Sequence, residues 1–222
     1  MYKFIILTLA LTLFGLTSVS AQYVNGKPEL ATVTEAKAWK VSDATAETLE
    51  VDGRRAIRLA VAGDWVGLAL PVGWSFRTGA IDVELKGKNS RQRSFLGVAF
   101  NVIDEKTFEA VYFRPFNFEA EEPFRNRSVQ YIALPDNTWE KLRKDTPGQF
   151  ESSVNPVPDP DGWFHARIEV TDSQVRVFVN GATEASLTVG RLARGGDHRA
   201  VGLFVSSAEG IYANLKITPA TK

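Results

Sequence analysis

The feature that most constrains this chain is an alternation of apolar and polar residues that runs through a series of short segments. A period of two places the apolar side chains of each segment on one face of a β-strand. Turn-forming pairs such as Asp52-Gly53 and Asn180-Gly181 separate the segments, and no long amphipathic helix or internal repeat is found. The pattern predicts an all-β fold, either an antiparallel sandwich or a barrel. The predicted strands are Ala56–Val61, Trp65–Leu70, Ala80–Lys86, Phe95–Val102, Phe108–Phe118, Ser128–Leu134, Trp163–Thr171, Gln174–Asn180, Ser186–Val189, Ala200–Ser206 and Tyr212–Thr218.

The balance of charges and the lack of cysteine limit the classes of protein to which the chain can belong. Basic and acidic side chains number 26 each, so the formal net charge is zero and gives no basic footprint for nucleic acid. The lack of cysteine excludes disulfides, thiolate metal sites and a lipid attached through an N-terminal cysteine. We therefore expect a globular fold held by packing alone, with no nucleic-acid partner.

The N-terminal residues have the pattern of an export signal. Lys3 supplies a positive charge, Phe4–Leu16 is an apolar run too short to span a bilayer comfortably, and small residues follow it. We predict a signal peptide over residues 1–21 that is cleaved after Ala21, in preference to an uncleaved anchor. The mature domain would then cover residues 22–222, without a stable membrane anchor, in a secreted or periplasmic location.

The stretch Ser94–Phe118 is the part of the pattern that is most informative about function. It predicts two strands joined by a turn at Ile103–Lys106, with Val102 opposite Thr107. One face then carries the pairs Leu96 with Phe113, Val98 with Val111 and Phe100 with Glu109, and the other carries Phe95 with Arg114, Gly97 with Tyr112, Ala99 with Ala110 and Asn101 with Phe108. The first face is mostly apolar and is expected to pack against a second sheet.

The second face of this strand pair is a candidate binding surface. The small residues Gly97 and Ala99 would leave a hollow beside Tyr112 and Arg114. A sugar ring suits such a place, because its apolar face stacks on an aromatic ring while its hydroxyls bond to a guanidinium. The further candidate ligand-binding residues are Gln130 on the next strand and Arg127, Trp139 and Arg143 at the rim. In the alternative interpretation Tyr112 and Arg114 cover a solvated face, and Arg114 forms a surface ion pair with Glu119, Glu121 or Glu122.

One short helix and two long loops are predicted between the strands. The helix covers Thr138–Lys144, with Asn137 as its capping residue and Glu140 three residues further on. The loops Glu119–Arg127 and Asp145–Gly162 are expected to form two flaps at one rim of the sandwich. The second loop is rich in proline and is therefore expected to be stiff.

The C-terminal third of the chain resembles a known superfamily. Trp163–Val170 followed by Gln174–Gly181, which reads QVRVFVNG, and later Val201–Phe204 followed by Tyr212–Ile217, resemble the closing strands of laminin-G-like and concanavalin A-like domains. The resemblance implies a jelly roll of two antiparallel sheets, one of them concave. Members include lectins, carbohydrate-binding modules, glucan hydrolases and adhesion modules, so the resemblance alone implies no single activity.

An enzymatic function has only isolated candidate residues. Glucan hydrolases of this superfamily carry a Glu-x-Asp-x-Glu strand, and the nearest match here begins with Ala80 in place of the nucleophile, before Asp82 and Glu84. The remaining candidate catalytic residues are Glu109, Glu140 and His165. For His165 the alternative is a solvated or hydrogen-bonded neighbour of a carboxylate.

A calcium ion is the one cofactor that the resemblance to this superfamily implies. Asn155, Asp159, Asp161 and Asp197 offer oxygen ligands of the kind that calcium prefers. Turn formation next to proline explains the same residues equally well.

The sequence leaves three functions open. The first is a secreted carbohydrate-binding sandwich linked to recognition or breakdown of a polysaccharide. The second is a glycoside hydrolase, and the third is a non-catalytic adhesion or assembly module. The glycan and the oligomeric state are not determined by the sequence.

Overall fold

The computed structural model describes residues 25–193 and 199–220, so the predicted signal peptide, Asp197 and His198 lie outside the described residues. The described part of the chain folds into two antiparallel sheets of seven strands each. The strands are β1 (Trp39–Ser42), β2 (Thr45–Val51), β3 (Arg54–Ala60), β4 (Val66–Pro71), β5 (Gly79–Lys86), β6 (Phe95–Asp104), β7 (Thr107–Phe113), β8 (Val129–Ala133), β9 (Glu151–Ser152), β10 (Trp163–Val170), β11 (Gln174–Val179), β12 (Leu187–Gly190), β13 (Ala200–Ser206) and β14 (Glu209–Pro219). One α-helix, α1 (Trp139–Asp145), and short 3₁₀ turns at Leu30–Thr32, Pro115–Asn117 and Arg125–Arg127 complete the described elements.

The two sheets pack face to face and form a sandwich, one of the two architectures that the alternation predicts. The front sheet has the strand order β1-β4-β13-β6-β7-β8-β9, and the back sheet has the order β12-β11-β10-β5-β14-β3-β2. In β10 every second residue, from Phe164 to Val170, is buried in the core between the sheets. The prediction of an all-β antiparallel sandwich is confirmed.

Three strands were not predicted, because they bury too little apolar surface to produce an alternating pattern. The strands β1 and β2 are edge strands, and most residues of β2 are exposed or only partly buried. The strand β9 is also at an edge and has only two residues. Short, exposed edge strands pair through their backbones and leave little trace in hydropathy.

The predicted register of the central hairpin is confirmed over its long part and wrong at its turn. The pairs from Leu96 with Phe113 through Phe100 with Glu109 form as predicted. The ladder then shifts, so that Asp104 rather than Val102 lies opposite Thr107. The shift follows Asn101, whose φ of 51° is the left-handed conformation that asparagine tolerates at a bulge.

The predicted helix is confirmed, but its capping residue is Thr138 rather than Asn137. The backbone of Thr138 is extended, and its hydroxyl oxygen accepts a hydrogen bond from the amide of Lys141 over 3.3 Å. Asn137 instead forms a β-bridge with Ala133. Leu142 is the residue of α1 that is buried against the outer face of the front sheet.

A buried ion pair joins the two sheets. Glu109 on the inner face of β7 is 0% exposed, and its carboxylate accepts hydrogen bonds from Nη2 of Arg191 over 2.7 Å and from Nδ2 of Asn101 over 2.9 Å. Arg191 directly follows β12 of the back sheet, and its side chain is 1% exposed. The Tyr131 hydroxyl also donates a hydrogen bond to Glu109. The pKa of Tyr131 is raised mainly by burial and further by the neighbouring carboxylate of Glu109.

Removal of one partner of this pair should destabilise the fold strongly. We expect Arg191→Leu to lower the free energy of unfolding by roughly 3–5 kcal/mol, because a buried carboxylate loses its counter-charge. The double variant Glu109→Leu, Arg191→Leu should lose less than Arg191→Leu alone. Urea denaturation measures both, with Lys37→Ala at the exposed pair of Lys37 and Glu35 as the control that changes little. An equal loss in Arg191→Leu and Lys37→Ala would contradict the expectation.

Candidate functional site

A cavity of about 580 Å³ opens on the outer face of the front sheet. Residues of β6, β7, β8 and β13 form its floor, and α1 and the segment between β7 and β8 form its walls. The proposed ligand-binding residues that line it are Tyr112, Arg114, Arg127, Trp139 and Arg143. Glu140, one of the proposed catalytic residues, also lines the cavity. The structure therefore brings together residues that are separated by up to 31 positions in the sequence.

The floor of the cavity holds a hydrogen-bonded network of Tyr112, Arg114 and Gln130. Nη2 of Arg114 donates to the Tyr112 hydroxyl over 2.8 Å and to Oε1 of Gln130 over 2.5 Å, and the Tyr112 hydroxyl donates to the same Oε1 over 3.1 Å. Nη1 of Arg114 donates to the backbone carbonyl of Arg127 over 2.9 Å. Only 5% of Arg114 is exposed. Burial lowers the pKa of the Arg114 guanidinium and raises the pKa of the Tyr112 hydroxyl.

This network rules out the interpretation in which Arg114 simply covers a solvated sheet face. Instead of a surface pair with Glu119, Glu121 or Glu122, the ion-pair partner of Arg114 is Glu151, whose carboxylate lies 4.0 Å from Nη1. A buried guanidinium needs acceptors within the protein, and the side chains and the backbone carbonyl around it supply them.

The hollow predicted above Gly97 is filled by aromatic rings. Gly97 lies between Tyr112 on β7 and Phe204 on β13, and these two rings stack with their centroids 5.3 Å apart. A Cβ at Gly97 would lie 2.7 Å from the Cα of Tyr112 and would also clash with the carbonyl oxygen of Val111. The glycine is therefore required because the neighbouring strand approaches it closely. The stacked rings of Tyr112 and Phe204 occupy the space that the glycine would otherwise leave open.

Glu151 is the main residue of the site that the sequence analysis missed. It is 7% exposed and accepts two hydrogen bonds from Arg143, over 3.0 Å to Nε and 2.6 Å to Nη2. Its carboxylate also lies 3.8 Å from Nε of Arg127. The hydrogen bonds to Glu151 raise the pKa of Arg143. Glu151 lies in the two-residue strand β9 and pairs with Gln130, a position that no alternating pattern marks.

Aromatic rings beside arginines form the rim of the cavity. Trp139 is 42% exposed, and the guanidinium of Arg143 lies 4.8 Å from the centre of its ring. Phe124, also exposed, has Arg91 at 4.8 Å and Arg127 at 5.6 Å from its ring centre. Each guanidinium holds a ring at the mouth of the cavity by a cation–π interaction. Phe124 and Arg91 lie in irregular segments between strands, where no alternating pattern marks them.

The other two proposed catalytic residues lie away from the cavity. Glu109 points into the core on the opposite face of β7 and is held by Arg191. His165 lies on the outer face of the back sheet, where its Nε2 is 3.2 Å from Oδ1 of Asp82. Burial opposes ionisation of Asp82, but the hydrogen bond from His165 and the charge of Arg167 outweigh it and lower the pKa of Asp82. The Ala80–Glu84 segment belongs to β5 in the same back sheet.

The candidate calcium ligands take part in turns. Oδ1 of Asp159 accepts a hydrogen bond from the amide of Asp161 over 2.9 Å, and Oδ1 of Asp161 accepts one from the amide of Asn89 over 2.8 Å. Ser186 exchanges hydrogen bonds with the backbone of Asn155. Over residues 25–193 and 199–220, no group of three or more His, Cys, Asp or Glu side chains is arranged to hold a metal ion.

Comparisons with known proteins identify the fold but give no close relative by sequence. No protein-family model matches the chain, and no curated protein matches it. A carbohydrate-binding module from Bacillus subtilis, CBM66, superposes with a TM-score of 0.55 at 10% identity, over 80% of this chain and 93% of that one. A protein with a galectin-like fold, also from Bacillus subtilis, has a TM-score of 0.53 at 12% identity, over 88% of this chain and 97% of that one.

A β-1,3-glucanase from Mycobacterium marinum is similar at a TM-score of 0.50 and 12% identity, over 88% of this chain and 98% of that one. These likenesses define a concanavalin A-like jelly-roll sandwich, the fold that the strand pattern of the C-terminal third resembles. Carbohydrate-binding and glycoside-hydrolysing proteins share this fold, so the fold alone does not select a function. Among the described helices, none is long and apolar enough to cross a membrane.

Neutralisation of Glu151 should destabilise the walls of the cavity. Glu151→Gln keeps the shape of the side chain but leaves Arg114 and Arg143 without their shared carboxylate, so we expect a loss of roughly 3 kcal/mol in the free energy of unfolding. The matched control is Glu169→Gln on the back sheet, because Glu169 also pairs with two arginines but is more exposed. Denaturant unfolding should show a loss below about 1 kcal/mol for the control. Similar losses in both variants would contradict the structural role of Glu151.

Proposed function

We propose that this protein is an exported carbohydrate-binding protein that holds a saccharide in the cavity on the outer face of the front sheet. The observation that carries the proposal is the convergence of Tyr112, Arg114, Arg127, Trp139 and Arg143 on one cavity. The similarity in fold to a carbohydrate-binding module supports the same class of ligand. The proposed export rests on the N-terminal sequence.

The chemistry of the cavity suits a saccharide in two respects. The exposed ring of Trp139 offers a flat apolar surface on which the apolar face of a pyranose can stack. The guanidinium groups of Arg127 and Arg143 offer hydrogen-bond donors to hydroxyl oxygens. The volume of about 580 Å³ lies within the range of small-ligand sites. A concave site with aromatic walls and a few fixed polar groups is the usual form of such a site.

Glycoside hydrolysis is the second candidate, because Glu140 lines the cavity and glucanases share the fold. Hydrolysis needs two carboxyl groups placed on either side of the scissile bond. Asp64 is the other acidic residue that lines the cavity, whereas both carboxylate oxygens of Glu151 are occupied by Arg143. The site thus has more donors for binding than free carboxylates for catalysis, and this favours binding over hydrolysis.

Loss of the rim tryptophan should weaken saccharide binding. With an oligosaccharide identified from a panel, we expect Trp139→Ala to lower the affinity roughly twofold to tenfold, since stacking on an aromatic ring contributes about 0.5–1.5 kcal/mol. Calorimetry measures the change. The matched control is Trp163→Ala on the back sheet, where Arg54 lies 5.2 Å from the ring centre in a similar cation–π pair.

Equal affinities of Trp139→Ala and the wild type would contradict the cavity as the binding site. Failure of every glycan in the panel to bind would contradict the proposed function and favour the adhesion or assembly module.

Hydrolysis is tested separately by the release of reducing ends from the same panel. A catalytic role of Glu140 predicts that Glu140→Gln abolishes release while binding persists. Full activity of Glu140→Gln would remove this residue from the reaction. The binding proposal expects no release from the wild type.

A further inference from the structure

The guanidinium groups of the cavity outnumber the carboxylates that could neutralise them. Arg114, Arg127 and Arg143 all have a nitrogen within 4.0 Å of the single carboxylate of Glu151. Arg143 makes the close contact, over 2.6 Å, while the other two guanidiniums lie 3.8 Å and 4.0 Å away. Three positive charges therefore share one negative charge at the base of the cavity.

The remaining charged residues of the cavity do not neutralise the excess positive charge at its base. Asp64 and Glu140 are exposed, so water screens their charges. Arg91, also exposed, adds a fourth guanidinium next to the Phe124 ring. Arg114 by contrast is almost fully buried, where positive charge is poorly solvated.

An uncompensated positive charge in a partly dehydrated site costs free energy in the empty protein. A bound anion would reduce that cost, because it would supply the missing counter-charge beside Arg127 and Arg143, whose side chains are only partly exposed. Guanidinium groups are particularly suited to a carboxylate, whose two oxygens match two parallel N–H donors. The aromatic rim next to these arginines suits the apolar face of a sugar ring as the rest of the ligand.

We propose that the ligand of this cavity is an acidic saccharide, with the carboxylate of a hexuronate bound by Arg127 beside Trp139. Arg143 contributes its charge and its Nη1 group, because its Nε and Nη2 groups hold Glu151. This inference rests on the proposed function and narrows it to one class of glycan. Arg114 acts as a positioning residue, since its hydrogen bonds hold the backbone carbonyl of Arg127 and the Tyr112 hydroxyl in place. The stacked sugar ring provides the apolar contact, and the guanidiniums provide selection for charge.

A pair of ligands that differ only in charge tests the proposal. An oligogalacturonate and its methyl ester have the same sugar rings, so calorimetry on both isolates the contribution of the carboxylate. We expect the free acid to bind about tenfold to a hundredfold more tightly than the ester, as charge-assisted hydrogen bonds would give. Increasing salt should weaken binding of the acid and leave that of the ester nearly unchanged.

Arg127→Gln should remove most of the preference for the acid, because it takes away one donor and one positive charge. The matched control is Arg176→Gln on the back sheet, where the guanidinium also lies next to an aromatic ring, 4.8 Å from the centre of Phe178. Without ligand, Arg127→Gln should have an unchanged or higher unfolding temperature, since it relieves the excess charge. A clear fall in that temperature would mean that Arg127 is needed for stability and would overturn the argument from charge.

The outcomes separate this inference from the function on which it rests. Equal affinities for the acid and the ester would overturn the acidic ligand while leaving saccharide binding intact. Binding of a sulfated oligosaccharide in preference to the uronate would overturn the assignment of the anion as a carboxylate. Failure of charged and neutral glycans alike would instead contradict the proposed function.

Discussion

Burial of β7 on both of its faces is the constraint on which the rest of the structure depends. Its inward residues face the back sheet, and its outward residues lie beneath the walls of the cavity. Each polar side chain on a doubly buried strand must find its partners within the protein. Glu109 therefore requires Arg191 on one side, and Tyr112 requires Arg114 and Gln130 on the other. The same strand thus contributes residues to the core on one face and to the candidate site on the other.

The helix α1 connects the buried outer face of the front sheet to the mouth of the cavity. A helix of seven residues is too short to be stable alone, so its position depends on tertiary contacts. Leu142 packs on the outer face of the front sheet, and Arg143 is held by Glu151 next to Arg114. Trp139 begins the same helix and is thereby placed at the rim. The aromatic surface offered to a ligand thus depends on a buried carboxylate below it.

Hydrophobic alternation was sufficient to predict an all-β sandwich or barrel, most of the register of β6 and β7, and the residues that share the outer face. The choice of a sandwich came from the resemblance of the C-terminal third. The prediction failed where the backbone departs from the period of two, as at the bulge of Asn101, or where a strand has too few residues to show a period, as at Glu151. It also failed beside Gly97, where the small residue suggested a hollow. The space is filled because Phe204, from a distant part of the chain, stacks there on Tyr112. Contacts between strands far apart in sequence leave no local pattern.

The two buried glutamates of the front sheet, Glu109 and Glu151, show how a balanced ion pair differs from a site in which positive charge remains for a ligand. Glu109 faces one guanidinium, that of Arg191, and is also satisfied by neutral donors, so no net charge remains to attract a ligand. Glu151 faces three guanidiniums, and the excess charge lies next to an open cavity. A site that is over-supplied with one sign of charge is less stable when empty and gains more from an anion when filled. The sites of Glu109 and Glu151 therefore differ in the ratio of positive to negative charges rather than in burial. This ratio is set by side chains that the shared fold does not specify.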